Sequence, residues 1–144
     1  MLKLIPALLG PELLSTLRAM GHGDEIVIAD ANFPAEFLGP MVIRADGISA
    51  TDMLDAVLTL LPLDQFVEET AIGMEVVGDP AARQPIDDEF EAIISRHEPE
   101  KRYFKIERFA FYDRAKKAAA VIQSGEHRLY GNIILKKGVI RPQG

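Results

Sequence analysis

The chain has 144 residues, enough for one domain with a substantial core. Hydrophobic residues at 48% and charged residues at 26% describe a globular protein rather than a disordered tail. Sixteen basic against 22 acidic residues leave a net charge of -6, which speaks against a nucleic-acid or anionic-membrane surface, and the absence of cysteine excludes a disulfide framework and a thiolate metal site.

No apolar run approaches the ~20 residues of a membrane span, and no cleavage-site pattern follows the N-terminus, so a cytoplasmic protein is expected. In "GPELLSTLRAMG", Pro11 suits a first helical turn, Leu13, Leu14, Leu17 and Met20 recur at helical spacing, and Gly21 is placed to end the helix. Residues 25–29 read as a short buried strand ending at Asp30. Asn32, Pro34, Gly39 and Pro40 punctuate a loop, and "MVIRA" is a second strand. Thr51 is expected to cap a helix carrying Met53, Leu54, Val57, Leu58 and Leu61, stopped by Pro62. "AIGMEVV" (71–77) is a third strand and "PIDDEFEAIISRH" an amphipathic helix. "YFKIE", "AAVIQSG" and "YGNIILKKG" read as strands, with "FYDRAKKA" a short helix. This alternation predicts a single α/β domain over 1–144, with a largely parallel sheet flanked by helices.

His22 stands between two glycines. That pair is not a dinucleotide loop, because it closes a helix and precedes a strand, the reverse of that fingerprint. His22 is either an exposed histidine at a helix cap or a general acid/base of near-neutral pKa. Asp30, at the carboxyl end of a strand, is either a turn cap or a ligand group. Arg108 and Tyr112 are four apart, so on a helix they would share a face, where a cation and a phenol can donate to a polyol. Tyr130 and Asn132, two apart on a strand, point the same way; one offers a flat ring and hydroxyl, the other an amide. His97 and His127 read as solvated surface, with no metal-ligand spacing.

"MGHGDEIVIADANFP", "IRADG", "RFAFYDRAKKA" and "YGNIILKKG" together resemble the sugar mutarotase family that includes L-fucose mutarotase and D-ribose pyranase. The resemblance spans nearly the whole chain and is weakest over 79–101; "DANFP", "RFAFY" and "LKKG" look like the fucose branch. It implies interconversion of sugar anomers with neither metal nor organic cofactor. Carried over by motif, His22 becomes the proton donor, and Asp30, Arg108, Tyr112, Tyr130 and Asn132 become substrate-binding residues. Asp64 in "LLPLDQF" and Met74 in "IGMEVV" match further ligand-contacting positions, although Asp64 also reads as a cap after Pro62. The resemblance further implies a ring-like homo-oligomer, a decamer in many bacterial members, with sites near subunit contacts. D-ribose pyranase activity and a non-catalytic monosaccharide-binding protein are the alternatives. His22 and Asp30 lie at opposite ends of one strand, roughly 15–17 Å apart at ~3.3 Å per residue. A shared site then requires loops that fold back or a neighbouring subunit.

Overall fold

Short apolar strands that bury both faces need a layer of helices on each side. The computed structural model, which describes residues 1–143, has that arrangement. Five helices, α1 (Pro11–Ala19), α2 (Ala35–Leu38), α3 (Ala50–Leu60), α4 (Pro85–His97) and α5 (Arg108–Lys116), alternate with six strands. These are β1 (Glu25–Ala29), β2 (Val42–Ala45), β3 (Ala71–Met74), β4 (Phe104–Ile106), β5 (Ala120–Ser124) and β6 (Ile133–Lys136), in sheet order β2-β5-β1-β6-β3-β4. The expected parallel pairing holds for β2–β5, β5–β1 and β3–β4. β6 runs antiparallel between β1 and β3, so the sheet is mixed.

The strands divide their side chains between two cores. Ile26, Ile28, Ile122, Ile133 and Leu135 face α1, α3 and α4 with Leu13, Leu54, Phe90 and Ile94. Val27, Ala29, Val121, Ile134, Ile72 and Met74 face α5 with Phe33, Phe111 and Ala115. The second layer is thinner, and the site lies at its edge.

Several local expectations change. Ser49, not Thr51, caps α3, because its hydroxyl accepts the Asp52 N–H at 3.1 Å. The third strand stops at Met74, and the chain then turns, with a bridge from Val76 to Asp79. Within the expected 32–40 loop, Ala35–Leu38 form one helical turn, closed by Gly39 at φ 97°. α5 begins at Arg108, where Glu107 caps it by accepting the Phe109 and Ala110 N–H groups at 2.9 and 3.0 Å. His97 is not a free surface histidine: its Nε2 lies 2.7 Å from Asp55 Oδ1. Among the described residues no helix is long and apolar enough to cross a membrane.

Candidate functional site

The carboxyl end of β1 opens into a pocket of about 200 Å³ that brings together six of the eight expected site residues: Asp30, Met74, Arg108, Tyr112, Tyr130 and Asn132. Asp30 ends β1 within a dense set of hydrogen bonds. Its N–H donates to Asn132 Oδ1 at 2.8 Å, and its Oδ1 accepts the Asn32 N–H at 2.9 Å. Its carbonyl accepts Gln123 Nε2 at 2.5 Å, and the preceding Ala29 carbonyl accepts Ser124 Oγ at 2.6 Å. Burial pushes the Asp30 carboxyl above the usual carboxylate range, against the hydrogen bonds from Asn32 and Asn132. Asn132 thus meets Asp30 twice, its side-chain carbonyl accepting the Asp30 N–H and its amide facing the Asp30 carboxyl.

Arg108 and Tyr112 reach the pocket from one face of α5, as their spacing predicts. The Arg108 guanidinium lies 4.6 Å from the centre of the Phe109 ring, and its buried Nε–H has no acceptor among the described residues, so it is available to a ligand oxygen. Tyr112 packs edge-on to Phe33 at 5.6 Å between ring centroids. Tyr130 and Asn132 do not share a face by strand alternation, because both precede β6. Tyr130 instead adopts the left-handed region at φ 61°, which costs a bulky residue about 1–3 kcal/mol. Its hydroxyl accepts the Val77 N–H at 3.2 Å. Phe33, Pro34, Met74, Val77 and Leu129 supply the apolar part of the wall. Polar donors on one side and apolar surface on the other suit a small polyol with one hydrophobic face.

His22 and Asp64 lie elsewhere, beside each other at the opposite end of β1. The neighbouring backbone anchors them there: Gly23 N–H donates to Lys137 O at 2.8 Å, just beyond β6, and Asp64 N–H to the O of Lys136, the last residue of that strand, at 3.0 Å. His22 Nε2 is 2.9 Å from Asp64 Oδ1. Asp64 is buried while His22 is well exposed. Burial opposes ionisation of Asp64, but the Phe66 N–H at 3.0 Å and His22 outweigh it and hold the carboxyl below its usual range. An ionised Asp64 accepts the Nε2 proton, which leaves Nδ1 as the nitrogen free to exchange a proton with a ligand. The Phe66 ring lies 5.1 Å away, with the Arg141 guanidinium 5.5 Å from the centre of that ring, and both flank this exposed corner. Asp64 is thus a turn cap and a histidine partner at once.

A larger cleft of about 480 Å³ between α1 and the segment after β6 is lined mainly by leucines and isoleucines. Lys137 at its edge already donates to the Leu17 and Met20 carbonyls, so it presents little for a sugar to bond. Among the described residues no group of three or more His, Cys, Asp or Glu could hold a metal.

Sequence reasoning missed the residues that brace the Asp30 turn, Gln123 and Ser124. A polar pair at the end of the apolar run "AVI" was the signal, since both are buried. Phe66 beside His22 carried no signal, because only the fold brings residues 22 and 66 together.

The comparisons with known proteins agree along the whole chain. Human (Homo sapiens) fucose mutarotase is 54% identical over 145 residues, covering 96% of this chain and 94% of its own length. FucU from Bifidobacterium longum superimposes with a TM-score of 0.91 at 45% identity, covering 96% of this chain and all of its own. The L-fucose complex of the Streptococcus pneumoniae fucose mutarotase gives a TM-score of 0.89 at 43% identity, over 97% and 100% of the two chains. A family model matches residues 3–140, and the chain belongs to the RbsD / FucU transport protein family.

Proposed function

We propose that this chain is a fucose mutarotase, an isomerase that interconverts the α and β anomers of L-fucose. The observation that carries the reading is its 54% identity to a fucose mutarotase across nearly the full length of both chains. The pocket supports it, because it offers donors and acceptors for hydroxyls beside an apolar wall.

The reaction needs two proton transfers and no redox step. One proton goes to the ring oxygen while the anomeric hydroxyl loses another, and the C1–O5 bond opens to a free aldehyde and a C5 hydroxyl. Rotation about C1–C2 turns the other carbonyl face to that hydroxyl, and reclosure gives the other anomer. In this reading His22 exchanges the proton through Nδ1, with Asp64 holding its ring and stabilising the imidazolium as it forms. Asp30, Asn132, Arg108, Tyr112 and Tyr130 bind the hydroxyls, and Met74 packs against the carbon skeleton. Because the open-chain sugar forms unaided in water, positioning and proton transfer suffice without a covalent intermediate.

In one chain the two groups lie at opposite ends of β1, about 16 Å of strand apart. The reading therefore includes a cytoplasmic homo-oligomer, a ring or decamer, in which His22 and Asp64 of one subunit face the Asp30 pocket of the next. Exposed Phe66 and Val67 beside the histidine, and Val77, Phe109 and Leu129 around the pocket, supply apolar surface at both ends.

Saturation-transfer NMR on the anomeric protons tests the assignment. L-fucose exchange should accelerate with the protein, and His22→Ala should remove most of that gain while sparing binding. Unchanged exchange in His22→Ala would remove the histidine from the mechanism. Faster exchange with D-ribose than with L-fucose would favour the pyranase activity, and binding without exchange would favour a non-catalytic sugar-binding protein.

A further inference from the structure

The mechanism above uses no step through Glu126, yet this carboxylate is among the most enclosed in the chain, only 5% exposed. It sits in the loop between β5 and β6 and collects three donors from Arg128. The backbone N–H and Nε–H of Arg128 reach Oε2 at 3.2 and 3.1 Å, and Nη2 reaches Oε1 at 3.1 Å. The remaining guanidinium nitrogen extends to Glu89 on α4. Burial opposes ionisation of Glu126, but Arg128 outweighs it and keeps the carboxyl below the usual range.

The same residue touches both walls of the pocket. Its carbonyl accepts the Ala31 N–H at 2.8 Å, beside Asp30, and its own N–H donates to Ser124 Oγ at 3.2 Å. Its side-chain stem lies against the turn that carries Tyr130 and Asn132. A Cβ added at Gly131 would stand 2.9 Å from Glu126 Cγ and 3.0 Å from Ile86 Cδ1. Tyr130 meanwhile keeps a left-handed backbone, and such strain persists only where the surroundings over-determine it. Among the described residues the one hydrogen bond to its ring, from Val77, is exposed and does not fix the backbone.

We propose that the Glu126–Arg128 pair, tethered to α4 through Glu89, is a positioning device that holds Tyr130 in its left-handed conformation and sets the spacing between the Tyr130–Asn132 wall and the Asp30 turn. A planar, two-pronged contact suits this role, because it fixes direction as well as distance. The inference rests on the sugar-binding reading of this pocket. Its effect falls on sugar affinity and not on proton transfer, because the Glu126–Arg128 pair braces the pocket end of β1 and His22 stands at the other end.

The test uses the full chain and three variants, Glu126→Gln, Arg128→Met and Arg128→Lys. In Glu126→Gln and Arg128→Met the KM for L-fucose exchange should rise roughly tenfold, the scale of one hydrogen bond to a charged group, with kcat within about twofold of the unaltered protein. Arg128→Lys, which keeps the charge and loses the fork, should fall between. A second readout needs no sugar. The chain has 3 tyrosines, so ring-labelled tyrosine NMR resolves each. The Tyr130 signals should shift or broaden in these variants, while Tyr103, in the opposite core, stays in place and certifies the fold. Should Glu126→Gln also disturb Tyr103, the surface change Glu89→Gln takes its place, with a smaller Tyr130 shift expected. Unchanged KM and unchanged Tyr130 signals in a variant with native Tyr103 would overturn the proposal. An unaltered protein that accelerates no exchange sinks the mutarotase reading instead, and the tyrosine spectra still decide this one.

Discussion

Asp30 and Asp64 are both buried carboxylates, and their surroundings push them in opposite directions. Asp64 has its charge matched by the Phe66 N–H and His22, so its folded-state value lies below the unfolded one. Its contribution to stability is therefore present above the ordinary carboxylate range and lost as pH falls through that lowered value. Asp30 is the reverse: burial raises its folded value above the unfolded one. Between those two values the native state binds more protons, so stability falls as pH rises, and the deficit persists above the folded value. A carboxyl kept where burial disfavours its ionised form fits a group retained for binding. Asp30→Asn retains an oxygen for the Asn32 N–H and removes the charge. At pH 7 it should raise the thermal midpoint while weakening sugar binding. The gain should vanish in acid below the ordinary carboxylate range, where Asp30 is neutral in both folded and unfolded chains. A melt series from acid to neutral pH checks this, and a lowered midpoint at pH 7 would show that the charge stabilises the fold.

At the level of elements, β3 shows how a strand bearing one pocket residue is held. Met74 reaches the pocket from the end of this strand, and Gly73 lies one residue before it. A Cβ at Gly73 would stand 1.8 Å from the Tyr103 hydroxyl. That hydroxyl donates to the buried Asp87 carboxylate at 2.7 Å, and Lys105 reaches the other oxygen at 3.3 Å, so the ring cannot swing aside freely. Burial, then the Asp87 contact, push the Tyr103 phenol well up, keeping it a donor at any working pH. Gly73→Ala should therefore cost about 2–3 kcal/mol, read as a lower urea midpoint. The cost should shrink in a Tyr103→Phe background, where the colliding oxygen is gone; simple additivity of the two changes would refute the clash. A glycine inside the apolar run "AIGM" is the kind of residue a close approach requires, but the neighbour that makes it, 30 residues on, leaves no mark in the sequence. The same division runs through the fold. Helical spacing placed α1, α4 and the Arg108–Tyr112 face of α5, because those signals are local. Partners across the sheet, such as Asp64 for His22 or Glu25 for Arg114, depend on strand order, which periodicity does not encode. The antiparallel direction of β6 is a property of the same kind.

Across the whole molecule, the separation of His22 from the Asp30 pocket decides what assembly can work. β1 is buried on both faces and paired along its length with β5 and β6, so the histidine cannot fold back to the pocket of its own chain without dismantling the central strand. In the proposed assembly the two surfaces that meet are different patches of the chain, one around His22 and Phe66, the other around Tyr130 and Leu129. Contact between unlike patches is heterologous, and repeated by rotation it closes into a ring. Mixing experiments separate this arrangement from a site within one chain. His22→Ala keeps an intact Asp30 pocket, and Asp30→Asn keeps an intact His22–Asp64 pair beside a weakly binding pocket, so at sugar concentrations well below KM each exchanges slowly by itself. When the two are dissociated together and reassembled at equal amounts, random pairing places an intact histidine against an intact pocket at about a quarter of the contacts. Anomer exchange should recover to about a quarter of the unaltered rate, rising with reassembly time and absent when the intact oligomers are only mixed. No recovery in oligomers confirmed to be mixed, for example by mass-tagged subunits, would mean that the groups do not meet across a subunit boundary, and the assignment of His22 to this pocket would fall with it.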